Sequence, residues 1–550
     1  MKKTKLVSLM LCALMASSAV ACSGTGGEDS LPAEAAGKTV LKVAVYEGGL
    51  GTAWMTQAAE AFGELFKNVS FEEGKTGVYV DVQAHKQFNG STLLTGSINK
   101  DLYFTEDVNY YTHVNRGNFA EITDIMTASL SEYGETGTME SKLTDNQKAY
   151  LTAKDGKYYG VPFYDGLYGL IYDRDMFNDN YWFFDESGCI GVNENGVDVN
   201  GTDLGLGNGP DNKAETAYDN GLPATYAQFE DLIYEMTAVS KTPFAYMGSD
   251  TAYIKRAMNS WWSDYEGLDA MNVNYTLDGK IDVVTSINDG VVTTKEVQID
   301  QTNGYMLHQQ AGKYYALKFL ENLLTAPDSY KINRDDHMMA QRNFVRGALT
   351  GDTDYAMLFD GIWWENEARA ALDDCKKEFG KGRMERRFAF LPIPKANDTE
   401  LAKEKGQTLM SLNTSFGFIS AKTNKLELAK KFMQFLHTDA QMSAFTRETS
   451  ILRSFKYEVT AEDEAQMSYF GKSVMETKRN SNIIYPCSNL ALINNNPGTF
   501  IADGWAWKTK VGTTEISDPF AAFRQGYTAE QYFNGYAEIY TKQAWDGLTK

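Results

Sequence analysis

Residues 39 to 85 constrain the fold more than any other stretch. TVLKVAVY (39–46) is a nearly unbroken apolar run and reads as a buried strand. EGGLGTAW (47–54) is a glycine-rich turn, and WMTQAAEAFGELFK (54–67) places Trp54, Ala58, Ala61, Phe62 and Leu65 at helical spacing. VYVDVQAH (78–85) then alternates as a second strand, and DLYFTED (101–107) reads as a third. A strand that returns through a helix to a neighbouring strand makes a parallel pair, so this opening predicts an α/β domain with a largely parallel sheet. The GGLG turn lacks both the GxGxxG spacing and a Walker lysine, which argues against a nucleotide-phosphate cradle.

Further along, 168–173 reads as an apolar strand. Residues 185–222 are rich in Gly, Asn and Asp and predict loop. LPATYAQFEDLIYEMTAVS (222–240) reads as an amphipathic helix capped by Thr225. Residues 271–303 alternate around two Asp-Gly pairs and predict an inserted hairpin or meander. A helix is expected at 305–324, strands at 353–361, 387–394 and 414–420, a helical pair at 424–450, and mainly helix from 459 onward. Asp198, Asn200 and Asp203 supply oxygen ligands of the kind calcium takes, but the fixed twelve-residue loop with its closing Glu is absent. A self-hydrogen-bonded loop is the expectation there.

Before the first strand, MKKTK and an apolar run ending Ala19-Val20-Ala21-Cys22 have the layout of a secretory signal, 1–21. The end of that run is similar to a bacterial lipobox, which implies acylation at Cys22, a flexible tether over 22–38 and an extracytoplasmic, membrane-anchored protein. No later run of ~18 apolar residues offers a transmembrane helix. The chain carries 52 Lys and Arg, three of them in the leader, against 73 Asp and Glu, which argues against nucleic acid and anionic lipid as partners. Beyond Cys12 and Cys22 only Cys189, Cys375 and Cys487 remain, too few and too scattered for a disulfide framework or a zinc site. A chain of 550 residues exceeds what one core usually serves, so at least two domains are expected.

Four stretches, taken in order, resemble the extracellular solute-binding proteins of bacterial ABC sugar importers, the carbohydrate-binding family that includes maltose-binding protein. They are YEGGLGTAWMTQAAEAF, GKYYGVPFYDGLYGLIYDRDMF, YAMLFDGIWWENE followed by FLPIP, and SFGFISAKTNKLELAKKFMQFL. The resemblance implies a two-lobed α/β fold, periplasmic-binding-protein-like, with a hinge and three interlobe crossings. On this sequence the crossings map near Tyr164–Tyr168, Asn413–Gly417 and Ile451–Phe455. The first lobe is then 39–165 plus 416–452, and the second is 166–415 plus 455–550 with inserts 185–222 and 271–303. Gly166 and Gly169 suit a hinge strand. The resemblance further implies a monomer that binds carbohydrate, needs no cofactor and partners ABC permease subunits.

A sugar ring has apolar C–H faces and a rim of hydroxyls, so its sites pair aromatic rings with acids and amides. Aromatics are 13% of this chain. The candidate ligand contacts are Glu47 and Trp54, Glu106, Tyr164 and Asp165 with Tyr168, Trp261 and Trp262, Asp360 with Trp363, and Arg453. Each also has a structural reading. Trp54 lies on the core-facing helical stripe, Glu47 could cap the next helix, one of Trp261 and Trp262 is expected to pack, and Arg453 could hold an ion pair. Of the adjacent indoles at 363 and 364, the resemblance places Trp363 in the cleft and Trp364 in the core. Two rival classes stay open, a surface glycosidase working with paired carboxylates and an adhesin; a non-sugar solute such as a peptide is the further alternative. No GxSxG or HExxH motif supports an enzyme.

Overall fold

The computed structural model describes residues 31–85, 99–288, 290–331, 334–351, 354–412, 414–496 and 507–548. The signal segment and Cys22 lie outside them. The end of the expected tether is ordered: Ala33–Ala35 forms a 3-10 turn that buries Ala35.

The opening motif folds as its pattern requires. β1 (Thr39–Tyr46) leads through the helix Ala53–Leu65 to β2 (Val78–His85), and β3 (Leu102–Thr105) follows. β2 and β3 flank β1, both parallel to it. The helix buries Trp54, Met55, Ala58, Ala59 and Phe62, while Leu65 is exposed, so the buried stripe is turned slightly from the expected one. β4 (Val161–Pro162) comes next, then β5 (Tyr168–Asp173). Within residues 185–222 the one strand is β7 (Ile190–Val192), which pairs with β6 (Phe183–Phe184) just before that stretch.

The Thr225 cap is a full capping box: its hydroxyl accepts from Gln228 N, and Gln228 Oε1 accepts from Thr225 N. After that helix come β8 (Thr242–Ala245) and the helix Ala252–Thr276, interrupted at Gly267 (φ 79°, ψ 176°), a conformation a side chain would resist. The hairpin expected over 271–303 is therefore shorter. Residues to Thr276 belong to the helix, and β9 (Gly279–Asn288) pairs with β10 (Val291–Ile299). β11 (Tyr355–Gly361), β12 (Phe388–Phe390), β13 (Gln407–Met410) and β14 (Phe416–Ile419) complete the strands used below.

Two sheets organise the molecule. One has the order β2-β1-β3-β14-β4, with β14 antiparallel to its neighbours. The other has the order β12-β5-β11-β8, in which β5 runs antiparallel to β11 and β12. The sheets are thus mixed rather than purely parallel, because β14 and β5 enter from long connections instead of local βαβ turns.

These directions place the site. The C-terminal ends of β1 and β3 share one edge of the first sheet. In the second sheet the register Gly361↔Tyr168 and Asp360↔Gly169 brings the end of β11 beside the start of β5. Gly169 is required by packing, since a Cβ there would lie 2.6 Å from the Phe390 ring.

Candidate functional site

The loops at those edges meet. Glu106, one residue past β3, accepts a hydrogen bond from the Tyr164 hydroxyl. Desolvation pushes its carboxyl up to about 8, with Asp107 and Glu367 adding to the rise and Tyr164 and Arg256 opposing it. Tyr46, at the end of β1, is raised to about 12 by burial and then by Glu106, Asp107 and Glu367. Glu367 and Arg256 belong to the second-sheet side, so groups from both sheets share one electrostatic environment.

On that second side Arg256 Nη1 donates to the Tyr168 hydroxyl (2.6 Å) and lies over its ring, 5.3 Å from the centroid. The Tyr168 ring meets Trp363 edge-on at 4.7 Å. Trp363 also meets the Tyr253 ring edge-on at 6.4 Å, and that ring in turn contacts Tyr168. Gln341 is fully buried, and its Nε2 donates to both Asp360 Oδ2 (2.9 Å) and Glu367 Oε2 (2.7 Å). Burial and the neighbouring Glu367 hold the Asp360 carboxyl well above the usual range.

Trp363 is one contact between the two sides, beside others such as Asn366 Nδ2 donating to Thr449 O (2.6 Å). Its indole occupies space that a Cβ on Gly361 would fill, and it abuts Gly49 of the turn after β1. Trp364, at the next position, is fully buried among Phe344, Phe388 and Phe470. Consecutive residues at a helix start point in different directions, so both indoles are buried but against different neighbours.

Five candidates, Glu106, Tyr164, Tyr168, Asp360 and Trp363, thus gather where the edges of the two sheets meet. Glu47 is half-buried in the turn after β1, its carbonyl accepting from Gly51 N (2.9 Å). The others have different work. Trp54 and Arg453 form one buried unit: the guanidinium lies 5.1–5.6 Å from the ring centroids of Trp54, Phe104, Phe163 and Phe445. Arg453 also donates to Phe163 O (2.9 Å) and sits 2.8 Å from His437 Nε2. Desolvation lowers it to about 9. The surface ion pair considered for Arg453 is therefore not what it makes; it is a caged cation in the first-sheet core.

Asp165 is fully buried, paired with Lys478 Nζ (2.6 Å) and accepting from Ser454 Oγ (2.6 Å), so its carboxylate is engaged within the protein. Trp261 packs against Phe319 and Phe359, and Trp262 lies against Trp507 and under Lys313 Nζ (4.7 Å). Both are core residues on the buried face of their helix, where apolar bulk is enough to explain them. Asp198 Oδ1 accepts from the backbone N–H groups of Asn200 (2.9 Å) and Thr202 (2.7 Å), the self-bonded loop expected from its composition. Among the described residues no group of three His, Cys, Asp or Glu could hold a metal ion.

Tyr46, Tyr253, Arg256, Gln341 and Glu367 were not among the sequence candidates. Tyr253 and Arg256 sit in the first two turns of their helix, Gln341 in the second turn of the helix His337–Thr350, and Glu367 just past a strand end. Polar and aromatic residues at helix starts that face strand ends were the available signal.

No protein-family model matches the chain, and no curated protein does. Solved structures match along almost its whole length. The solute-binding protein RafE in complex with raffinose superposes with a TM-score of 0.54 at 13% identity, over 93% of this chain and 100% of that one. Apo RafE from Streptococcus pneumoniae gives 0.53 at 14%, over 94% and 99%. A structure from work on xylan utilization by the thermophilic bacterium Caldanaerobius polysaccharolyticus gives 0.53 at 13%, over 91% and 99%. The chain therefore has the mixed α/β fold of the solute-binding proteins.

Proposed function

We propose that this protein is a lipid-anchored, extracytoplasmic solute-binding protein that captures a carbohydrate, an oligosaccharide in particular, and delivers it to an ABC permease. One observation carries the reading. Where the edges of the two sheets meet, each side contributes carboxyl groups and aromatic rings, the combination that a pyranose satisfies. Glu106 and Tyr164 stand on one side, and Asp360, Trp363 and Tyr168 on the other. The solute-binding fold and the raffinose complex of one neighbour point the same way.

In this reading the lobes are 39–165 plus 416–452 and 166–415 plus 455–550, and they close about the segments that cross between them. Those segments are knitted together near the cleft: Ser415 Oγ donates to Tyr164 O (2.6 Å), Leu412 N to Gly166 O (3.0 Å) and Ser454 N to Phe163 O (3.4 Å). Closure desolvates the acids and rings, and a sugar's hydroxyls replace the lost water contacts. The protein acts as a monomer without a cofactor, performs no covalent chemistry, and is held to the membrane through acylated Cys22.

A melting-temperature screen across mono- and oligosaccharides tests this, with the ligand recovered afterwards. A sugar that raises the melt and returns intact supports capture. Cleaved sugar would assign the acids to hydrolysis, and a melt moved only by peptides would replace the substrate class. Cys22→Ala should move the protein from the membrane to the soluble fraction.

A further inference from the structure

The second-sheet side of the cleft is more selective than a generic sugar site. Gln341 bridges two carboxyl groups with its single amide nitrogen, and its Oε1, on the same buried amide, has no hydrogen-bond partner among the described residues. Asp360 is 1% exposed, and no Lys or Arg among the described residues forms a salt bridge with it or with Glu367. The corner therefore presents two carboxyl groups and an unused amide oxygen.

We infer that this corner is a subsite for a protonated amine, so that the carbohydrate captured is an amino sugar carrying a free, unacetylated amino group. The inference rests on the carbohydrate reading above. It follows from counting protons and charge. Ionised carboxylates and an amide oxygen can only accept, whereas an ammonium offers three donors and no acceptor. A hydroxyl at the same place brings one proton to donate and no charge. It would leave the pair as it stands, one carboxyl keeping its proton because of burial and its acidic neighbour, whereas a cation lets both ionise and accept.

An ammonium meets all three acceptors and offsets the charge. The Tyr168 ring nearby already carries the Arg256 guanidinium over its face, so the two carboxyl groups and the amide oxygen are what would hold the ammonium. Acetylation would remove the charge and most of the donors, so the corner should discriminate against it. A divalent metal is the poorer occupant, because no third acidic, His or Cys ligand stands within reach among the described residues. The N–H groups that the structure places on the two carboxyls, Gln341 Nε2 on both and Gly361 N on Asp360 Oδ1, are already engaged and are not offered to an anionic sugar.

Isothermal titration of the purified full chain tests this with short glucosamine oligomers, their N-acetylated forms, and glucose oligomers of the same linkage and length. The free amine should bind at least about tenfold more tightly than either counterpart. Asp360→Asn and Glu367→Gln should each shrink that preference. Glu367 is less deeply buried than Asp360 and sits on a short helix, so its variant keeps the test usable where Asp360→Asn folds poorly. Equal or tighter binding of the acetylated or glucose form overturns the inference, as does a preference that survives both substitutions. Binding of neutral sugars alone would sink the amine subsite while leaving the carbohydrate reading intact. If no carbohydrate binds, charged or neutral, both fall together.

Discussion

A Cβ placed on Gly49 would lie 2.5 Å from Cδ1 of Trp363, so the turn after β1 and the helix start after β11 touch where any added atom would collide. Gly49 comes from the first sheet's edge and Trp363 from the second's. Their contact is a direct measure of how close the two sides stand. Gly49→Val should hold the sides apart without disturbing either sheet. We expect at least about a tenfold loss of sugar affinity, equivalent to ~1.4 kcal/mol, with the melting temperature of the free protein almost unchanged. Calorimetry with the best sugar from the screen, beside a thermal melt, checks both parts. A Gly49→Val protein that binds normally would mean the ligand is held with the sides apart.

The adjacent indoles should separate cleanly under substitution. Trp364 has no exposed surface and packs against three phenylalanines, so Trp364→Ala should cost about 3–5 kcal/mol in a denaturant titration. Trp363→Ala removes a ring that is 5% exposed and lies against Gly49, Gly361 and Tyr168 where the two sides meet. It should abolish sugar binding while lowering stability by clearly less than Trp364→Ala. Equal stability losses would place both indoles in the core.

Glu106 predicts a pH dependence with a definite sign. Its folded-state pKa, about 8, lies above the ordinary carboxyl value of 4.5. Between those values the native protein holds a proton that the unfolded chain has released, so stability falls as pH rises through that window and levels off above it. Other buried acids contribute to the total slope, so the useful quantity is a difference. Glu106→Gln cannot ionise, and the stability of wild type minus that of the variant should decline from pH 5 to pH 8. Denaturant midpoints at several pH values supply it, and a flat or rising difference would show that Glu106 is ionised in the folded protein.

The readable and unreadable parts of this molecule divide along a physical line. β1, the following helix and β2 were legible because period and turn chemistry act within a few residues. So was the Thr225 capping box, which is complete within four positions. The gathering of Glu106, Asp360 and Trp363 was partly legible, because strand ends in such folds face a crevice. The cage around Arg453 was not. Its four rings come from positions 54, 104, 163 and 445, and no local pattern reveals that a cation will be enclosed among them. Gln341 and Arg256 escaped notice for the same reason. Their roles depend on which helix start is packed against which strand end, a fact of tertiary structure alone.

Asp165 gives the last test, because its reading moved from ligand contact to internal ion pair. Its carboxylate is fully buried and its cationic partner is Lys478, which reaches it from the helix Tyr469–Arg479. Removing one member of a buried pair strands the other charge, which typically costs about 3–5 kcal/mol. Lys478→Met should therefore destabilise by roughly that amount. Asp165→Asn in the same chain removes the stranded charge, keeps an oxygen to accept from Ser454, and should restore a large part of the loss. Sugar affinity, measured on whatever folded fraction remains, should change much less than stability in all three proteins. If Asp165→Asn alone abolished binding while the melt held steady, Asp165 would have to touch the ligand, and the ion pair would be incidental.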